Sequence, residues 1–190
     1  MGVRANALID YRVPDHRNQG PVISLLAPTL TALHAVSSYW KSVQTDNPEE
    51  DGYWSATMHH PSPADEYLQY EGPGSFSIVF GEKVAGIHAG CRWAGFCTIP
   101  ELQAVHVAAF RSVAIALGAT RMILSPDYDP VEGDALFGGA SLDDCVTALK
   151  YVWGTPYPVL EVIDESDKEF YKRRTPPWFM EQLTNRIENV

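Results

Sequence analysis

The sequence predicts an α+β fold in a single domain, residues 1–190, with a mixed or mainly antiparallel sheet and three to four helices packed on it. Three observations predict this class. Short segments with strand character cluster from residue 53 to beyond residue 84, helical periodicity dominates on either side of them, and no repeat or long Gly/Ser linker divides the chain. A chain of 190 residues, 45% of them hydrophobic, is long enough to bury a core without disulfides or metals.

The first half of the chain predicts several strands and one helical segment. Ala7 to Val13 has strand character and stops at Pro14. Gly20-Pro21 opens a helical segment through Trp40, which Pro28 should kink or restart. Further strands are predicted over Tyr53 to His60, Tyr67 to Glu71, Ser75 to Phe80 and onward from Val84. Glycine-containing turns join the later ones in the manner of a hairpin or meander.

The second half predicts helices that alternate with short strands. The clearest helix, Pro100 to Leu117, is apolar on nearly every face, so we expect it to be buried on more than one side. Ser141 and Asp144 resemble a capping box at the start of another helix, which Gly154 ends. The remaining predictions are a strand at Arg121 to Leu124, a strand at Val159 to Ile163, and a helix from Pro176-Pro177 through Phe179, Leu183 and Ile187.

Negative charge is concentrated in one part of the chain. The net charge is −10, and residues 127–169 hold 11 acidic and two basic residues, a net charge of −9. Such a surface repels phosphate backbones and attracts basic partners, which argues against direct binding of DNA or RNA.

The cysteine content and the apolar runs bear on localisation. Three cysteines, Cys91, Cys97 and Cys145, form an odd and sparse set that suits a reducing compartment. No run has signal-peptide character, and none approaches eighteen uninterrupted apolar residues. We therefore expect a cytoplasmic protein that does not interact with membranes.

Motifs for nucleotide, metal or covalent chemistry are weak in this sequence. It has no Gly-Lys-Ser/Thr loop and no Gly-x-Ser-x-Gly elbow. His88, Cys91, Cys97 and His106 are the residue types that zinc prefers, but their spacing lacks the paired short intervals of structural zinc sites. We expect the cysteines to be buried as small apolar residues, and neither a metal nor a cofactor to be bound.

The acidic segment after the predicted strand at Arg121 allows two interpretations. Asp127, Asp129, Glu132 and Asp134 could divide into a general acid and a general base, with His59, His60 and His88 as further participants. An acidic loop in this position is more often solvated or directed at a partner. The second interpretation is therefore preferred, and no enzymatic activity is expected.

Aromatic residues are frequent, and pairs such as Tyr39-Trp40, Tyr53-Trp54 and Trp178-Phe179 recur along the chain. Together with the acidity, the length and the absence of a catalytic signature, this content resembles the immunity proteins of bacterial polymorphic-toxin and type VI secretion systems. The resemblance is one of overall character along the whole chain, not of a short motif. It implies a cytoplasmic protein that binds a cognate toxin and blocks its active site, here a toxin with a basic cleft such as a nuclease.

We assign the partner-binding surface to the acidic segment and to the start of the helix that follows it. Aromatic residues beside carboxylates make good interface anchors, and Tyr128 lies between two aspartates. The assigned residues are Asp127, Tyr128, Asp129, Glu132, Asp134, Asp143 and Asp144. Two alternatives remain: a small enzyme with a non-local His/carboxylate site, and an acidic scaffold or subunit protein. A deep pocket with convergent histidine and carboxylate groups would favour the enzyme.

Overall fold

The computed structural model of the chain describes residues 3–43, 53–62, 65–157, 161–165 and 167–183. These residues form one antiparallel sheet with helices on both faces, which confirms the α+β class. The strands are β1 Arg4–Asp10, β2 Ser55–Ser62, β3 Asp65–Gly72, β4 Phe76–Phe80, β5 Val84–Arg92, β6 Arg121–Pro126 and β7 Phe179–Gln182, in the spatial order β2-β3-β4-β5-β1-β6-β7. The helices are α1 Gln19–Leu26, α2 Leu30–Val43, α3 Trp93–Thr98, α4 Pro100–Ala116, α5 Asp129–Leu136, α6 Leu142–Trp153 and α7 Asp167–Tyr171.

One face of the sheet, called the inner face below, packs against α1 to α4. Alternate residues of β1, namely Ala5, Ala7 and Ile9, are fully buried in this core, as period-2 alternation requires. The apolar helix α4 contributes Phe110 and Val113, both fully buried. Its burial on several sides confirms the expectation drawn from its composition.

The helical segment before β2 bends where proline predicts it to bend. A single 3₁₀ turn at Ala27–Thr29 separates α1 from α2 and contains Pro28, as expected for a residue that cannot donate a helical hydrogen bond. By length and composition the segment Gln19–Val43 could also span a membrane, since an 18-residue stretch within it has a mean hydropathy of 1.3. Core helices have this composition too, and Leu33 and Val36 are here fully buried in the inner core.

The opposite, outer face carries a smaller core beneath α5 and α6. Leu8 and Ile123 from the sheet pack with residues of the two helices and with Trp178. The predicted capping box is present at α6, because Asp144 N–H bonds to Ser141 Oγ and the Asp144 carboxylate accepts the Ser141 N–H at 2.8 Å.

Strand β1 lies near the centre of the sheet and is fastened to β6 by one carboxylate. Asp10 accepts hydrogen bonds from the Thr120 N–H at 2.8 Å, the Thr120 hydroxyl at 2.5 Å and the Arg121 N–H at 2.8 Å. These bonds hold the pKa of Asp10 below its usual value although burial acts in the opposite direction.

Three predictions about local structure were wrong in the residues that the structure describes. The acidic segment 127–134 is not a loop, because α5 begins at Asp129 and buries Val131 and Ala135 on the outer face. The helix predicted from Pro176-Pro177 is instead strand β7, in which Phe179 pairs with Leu124 of β6. Residues 184–190 of that predicted helix lie outside the described residues.

The strand predicted at Val159 to Ile163 is described only in part. Its residues 161–163 have no regular structure, and residues 159 and 160 lie outside the described residues.

Candidate functional site

A row of polar residues crosses the outer face of the sheet. Cross-strand register places one residue from each of six neighbouring strands in this polar row: Ser55, Glu71, Ser77, His88, Asn6 and Ser125. Residues opposite one another on neighbouring strands share a face, so these side chains lie side by side. The neighbouring row on the same face, which contains Leu8 and Ile123, runs parallel to the polar row and is covered by the outer core.

The polar row passes beneath a recess of about 560 Å³ that lies between the sheet and helix α5. Its volume is within the range of small-ligand sites in proteins. The polar recess is lined mainly by Arg4, Asn6, Tyr67, Gln69, Ser77, His88, Asp127, Glu132 and Phe137.

Helix α5 comes close to the sheet because two glycines leave room for it. A Cβ on Gly81 would lie 2.5 Å from the Ala135 carbonyl oxygen, which is closer than real Cβ atoms approach. A Cβ on Gly86 would lie 3.3 Å from both the Leu136 side chain and His88 Nε2. Small residues at these points therefore set the position of α5, and with it that of Glu132.

His88 and Glu132 form the central contact of the polar recess. Nε2 of His88 is 3.3 Å from Oε1 of Glu132, and the two side chains are only 29% and 16% exposed. Burial lowers the pKa of His88 to about 4, with a further contribution from the Arg4 cation. At neutral pH the imidazole is therefore uncharged, and its Nε2 lies next to the Glu132 carboxylate.

Asn6 supplies a buried acceptor without a partner. Its side chain is 2% exposed, and Oδ1 has no hydrogen-bond partner among the described residues. Leaving such an acceptor unsatisfied costs roughly 1–3 kcal/mol, so it is retained at a cost to the fold. An unsatisfied acceptor in the wall of a recess points to a ligand that donates a hydrogen bond.

The assigned partner-binding residues occupy two different places. Asp127, at the end of β6, accepts the Arg4 N–H at 2.8 Å and lies in the polar recess with Glu132. Tyr128 is half-buried against Trp153, with ring centroids 4.9 Å apart. Asp134 is exposed on α5, and Asp129 is the first residue of that helix.

Asp143 and Asp144 do not line the recess. Both carboxylates are engaged within the chain at the start of α6. Asp143 accepts a hydrogen bond from Arg121 Nη1 at 2.5 Å, which holds the pKa of this carboxyl below its usual value. Asp144 belongs to the capping box, and its hydrogen bonds with Ser141 likewise lower its pKa.

The histidines and cysteines weighed for other chemistry are dispersed. His88 is on the outer face, whereas Cys91, Cys97 and His106 are buried in the inner core. Burial raises the pKa of Cys91 to about 12, so its thiol is inert at neutral pH. Within the part of the chain that the structure describes, no group of three His, Cys, Asp or Glu side chains could hold a metal ion.

The histidine pair of β2 is also divided. His59 stacks on Tyr67 at the margin of the recess, with ring centroids 5.1 Å apart. His60 lies 3.1 Å from Glu66 and is exposed. Adjacent residues of a strand point to opposite faces, so the two imidazoles do not converge.

Sequence reasoning named His88 and Glu132 but missed Asn6. A single Asn in an apolar strand gives no local signal of function. The relevant signal is its register with His88 and Ser125, which lie far from it in the chain.

Comparisons with protein-family models, with curated proteins and with solved structures found no match to this chain.

Proposed function

We propose that this chain is a protein-binding inhibitor whose polar recess receives a basic side chain of its partner, as an immunity protein would do with a toxin. The observation that carries the proposal is the acceptor-rich lining of the recess, which contains the carboxylates of Asp127 and Glu132 and, in its wall, Asn6 with its unpaired buried Oδ1.

The chemistry of the recess selects a cationic donor. Two carboxylates face one guanidinium, that of Arg4, so the ionised lining has a net negative charge. A lysine ammonium brings three N–H donors and an arginine guanidinium five, and neither has an acceptor. Either group would bind a carboxylate of the recess through the charge-assisted hydrogen bonds that are strongest in proteins.

The surface around the recess suits a macromolecule. Ser55, Thr57 and Glu71, on the outer face of β2 and β3, are exposed. A second depression of about 560 Å³ adjoins the recess there and shares Gln69 and Ser77 with it. This polar face therefore extends beyond one small-ligand site, as the surface that a protein partner contacts would do.

Exposed aromatic side chains lie at the margins of this face. Phe137 is 65% exposed beside the recess and Tyr53 is 82% exposed at the second depression. Buried aromatic anchors next to charged groups are typical of tight protein interfaces. A toxin with a basic cleft, such as a nuclease, offers the matching charge, and occupation of the cleft by this chain would exclude its substrate.

A second candidate function is catalysis, favoured by the contact between His88 and Glu132. A neutral imidazole oriented by a carboxylate can accept a proton from a substrate or a water molecule. The recess would then bind a small polar substrate, and loss of His88 would abolish turnover. For inhibition, by contrast, His88 only positions the Glu132 carboxylate.

The experiment begins with site-specific photo-crosslinking in the native host. A photo-reactive phenylalanine at Gln69, in the recess, is compared with one at Tyr151, which is 92% exposed on α6. We expect one dominant protein to be cross-linked from position 69 only, through a peptide that contains lysine or arginine. Equal cross-linking from both positions would contradict the proposed surface.

The second stage measures binding to the purified cross-linked partner. Glu132→Gln should weaken binding at least 30-fold, because the partner's cation loses its buried counter-charge. The matched control Glu101→Gln, an exposed carboxylate at the start of α4 on the other side of the sheet, should change affinity less than threefold. Equal affinities for both variants would refute the role of the recess, and a partner that stays active when saturated with this chain would refute inhibition.

A further inference from the structure

Another cavity, of about 330 Å³, is separate from the recess and from the second depression beside it. It lies beyond Asp127, at the edge of the sheet where β1 begins and β6 ends. It is apolar except at its rim, in contrast to the polar recess. The residues that line this aromatic pocket include Val3, Trp93, Ala94, Tyr128, Trp153 and Arg173. Asp127 lies in the wall of both cavities, so the two open next to each other.

Four aromatic side chains line the pocket, those of Trp93, Tyr128, Trp153 and Phe170. Trp93 and Phe170 are buried, and the Trp93 indole N–H bonds to the Pro177 carbonyl oxygen at 3.2 Å. Tyr128 and Trp153 are half-buried at the opening, tilted by 51° against each other. Rings held at such angles present both edges and faces, which aromatic ligands contact better than aliphatic ones do.

Arg173 is held in place beside this aromatic wall. Its Nε donates to Glu165 at 2.9 Å, its Nη1 donates to the Tyr157 hydroxyl at 2.9 Å, and Nη2 bonds to the second Glu165 oxygen. The Glu165 carboxylate raises the pKa of the guanidinium further above its usual value. A planar cation fixed in this way is a stacking surface for an aromatic ring.

We propose that the aromatic pocket binds an aromatic side chain of the same protein partner, next to the basic side chain in the polar recess. The inference rests on the proposed function for the identity of the partner. The pocket's volume is near the lower limit for small-ligand sites, and it is large enough for one indole or phenol ring. The negative charge of the adjoining acidic segment, residues 127–134, favours a ring that projects from a basic protein surface.

The first test uses the whole chain and a defined probe. N-acetyl-tryptophanamide should shift the backbone amide resonances of Ala94 and Tyr128 with saturation, and N-acetyl-leucinamide should bind at least fivefold more weakly. Val3→Trp, at a side chain that is 42% exposed on the rim, should fill the pocket and abolish the shifts. Phe137→Ser, beside the other cavity, is the matched control and should leave them unchanged. Equal binding of the two probes, or shifts that persist in Val3→Trp, would overturn the aromatic assignment.

The second test uses the cross-linked partner. Val3→Trp should lower its affinity at least tenfold, whereas the conservative Val3→Ile should not. If Val3→Trp blocks the tryptophan probe but leaves partner affinity intact, the pocket is a small-molecule site and the inference fails. Glu132→Gln tests the polar recess independently, so failure of one cavity is distinguishable from failure of the other.

Discussion

The two faces of the same sheet are built from opposite kinds of residues. On the inner face Ala5, Ala7 and Ile9 are sealed beneath helices, whereas on the outer face Asn6 and its row neighbours border open space. These two sets alternate along one strand of seven residues. The inner face therefore supplies most of the buried apolar surface, whereas the polar row supplies groups whose cost to the fold the two cores must offset.

The largest loss of stability is expected from a cavity in the core of the inner face. Phe110→Ala should lower the free energy of unfolding by about 3–5 kcal/mol, because Phe110 is fully buried and its removal leaves a cavity. Chemical denaturation with matched m-values measures the change. Ser77→Ala in the polar row is the control and should stay within about 0.5 kcal/mol of the parent. Similar losses in both variants would mean that the faces do not differ as described.

Because of His88, the stability of the folded chain should fall as the pH is lowered. Its pKa is about 4 in the folded chain and its ordinary value is 6.5, so between these values the unfolded chain binds the proton and the native chain does not. The contribution of the neutral imidazole is complete above pH 6.5 and is lost as the pH falls to 4, by about 1–3 kcal/mol. His88→Gln should flatten that part of the stability profile, whereas the exposed His60→Gln should not. A parent profile without this slope would contradict a buried neutral His88.

The smallest change in the free energy of unfolding is expected for Asn6→Leu, and it is an increase rather than a decrease. Asn6→Leu replaces an unpaired buried acceptor with an apolar group of similar size, so it should raise stability by about 0.5–2 kcal/mol. The same substitution should weaken partner binding, a trade-off typical of functional sites. Thermal unfolding and the binding assay on one preparation measure both. A destabilised Asn6→Leu would show that Oδ1 is satisfied in solution.

The sequence was sufficient for elements with strong local signals and insufficient for those that tertiary contacts impose. The α6 capping box and the Pro28 bend are local, and both were predicted correctly. Helix α5 contains Pro, Gly and three acidic residues, so it reads as a loop until Val131 and Ala135 are seen to pack on the sheet. Strand β7 follows two prolines that resemble a helix start, and its pairing with β6 overrides them.

The polar recess shows the same limit more strongly. His88 and Glu132 could be named as candidates from their residue types alone, but nothing local brings them together. Their proximity depends on the register of β5 and on the glycines that admit α5. The unpaired state of Asn6 Oδ1 is a property of the assembled sheet, so no pattern along the chain encodes it.

The position of β1 has a consequence for how the protein is made. This strand is synthesised before both of its neighbours, because Asn6 pairs with His88 on β5 and with Ser125 on β6. At ordinary ribosome speeds it waits on the order of ten seconds for the second neighbour. Until the Asp10 carboxylate can accept the Thr120 N–H, the apolar strand has two open edges. Completion of the sheet is therefore a late event in biosynthesis, and the nascent chain is a natural client for chaperones during that interval.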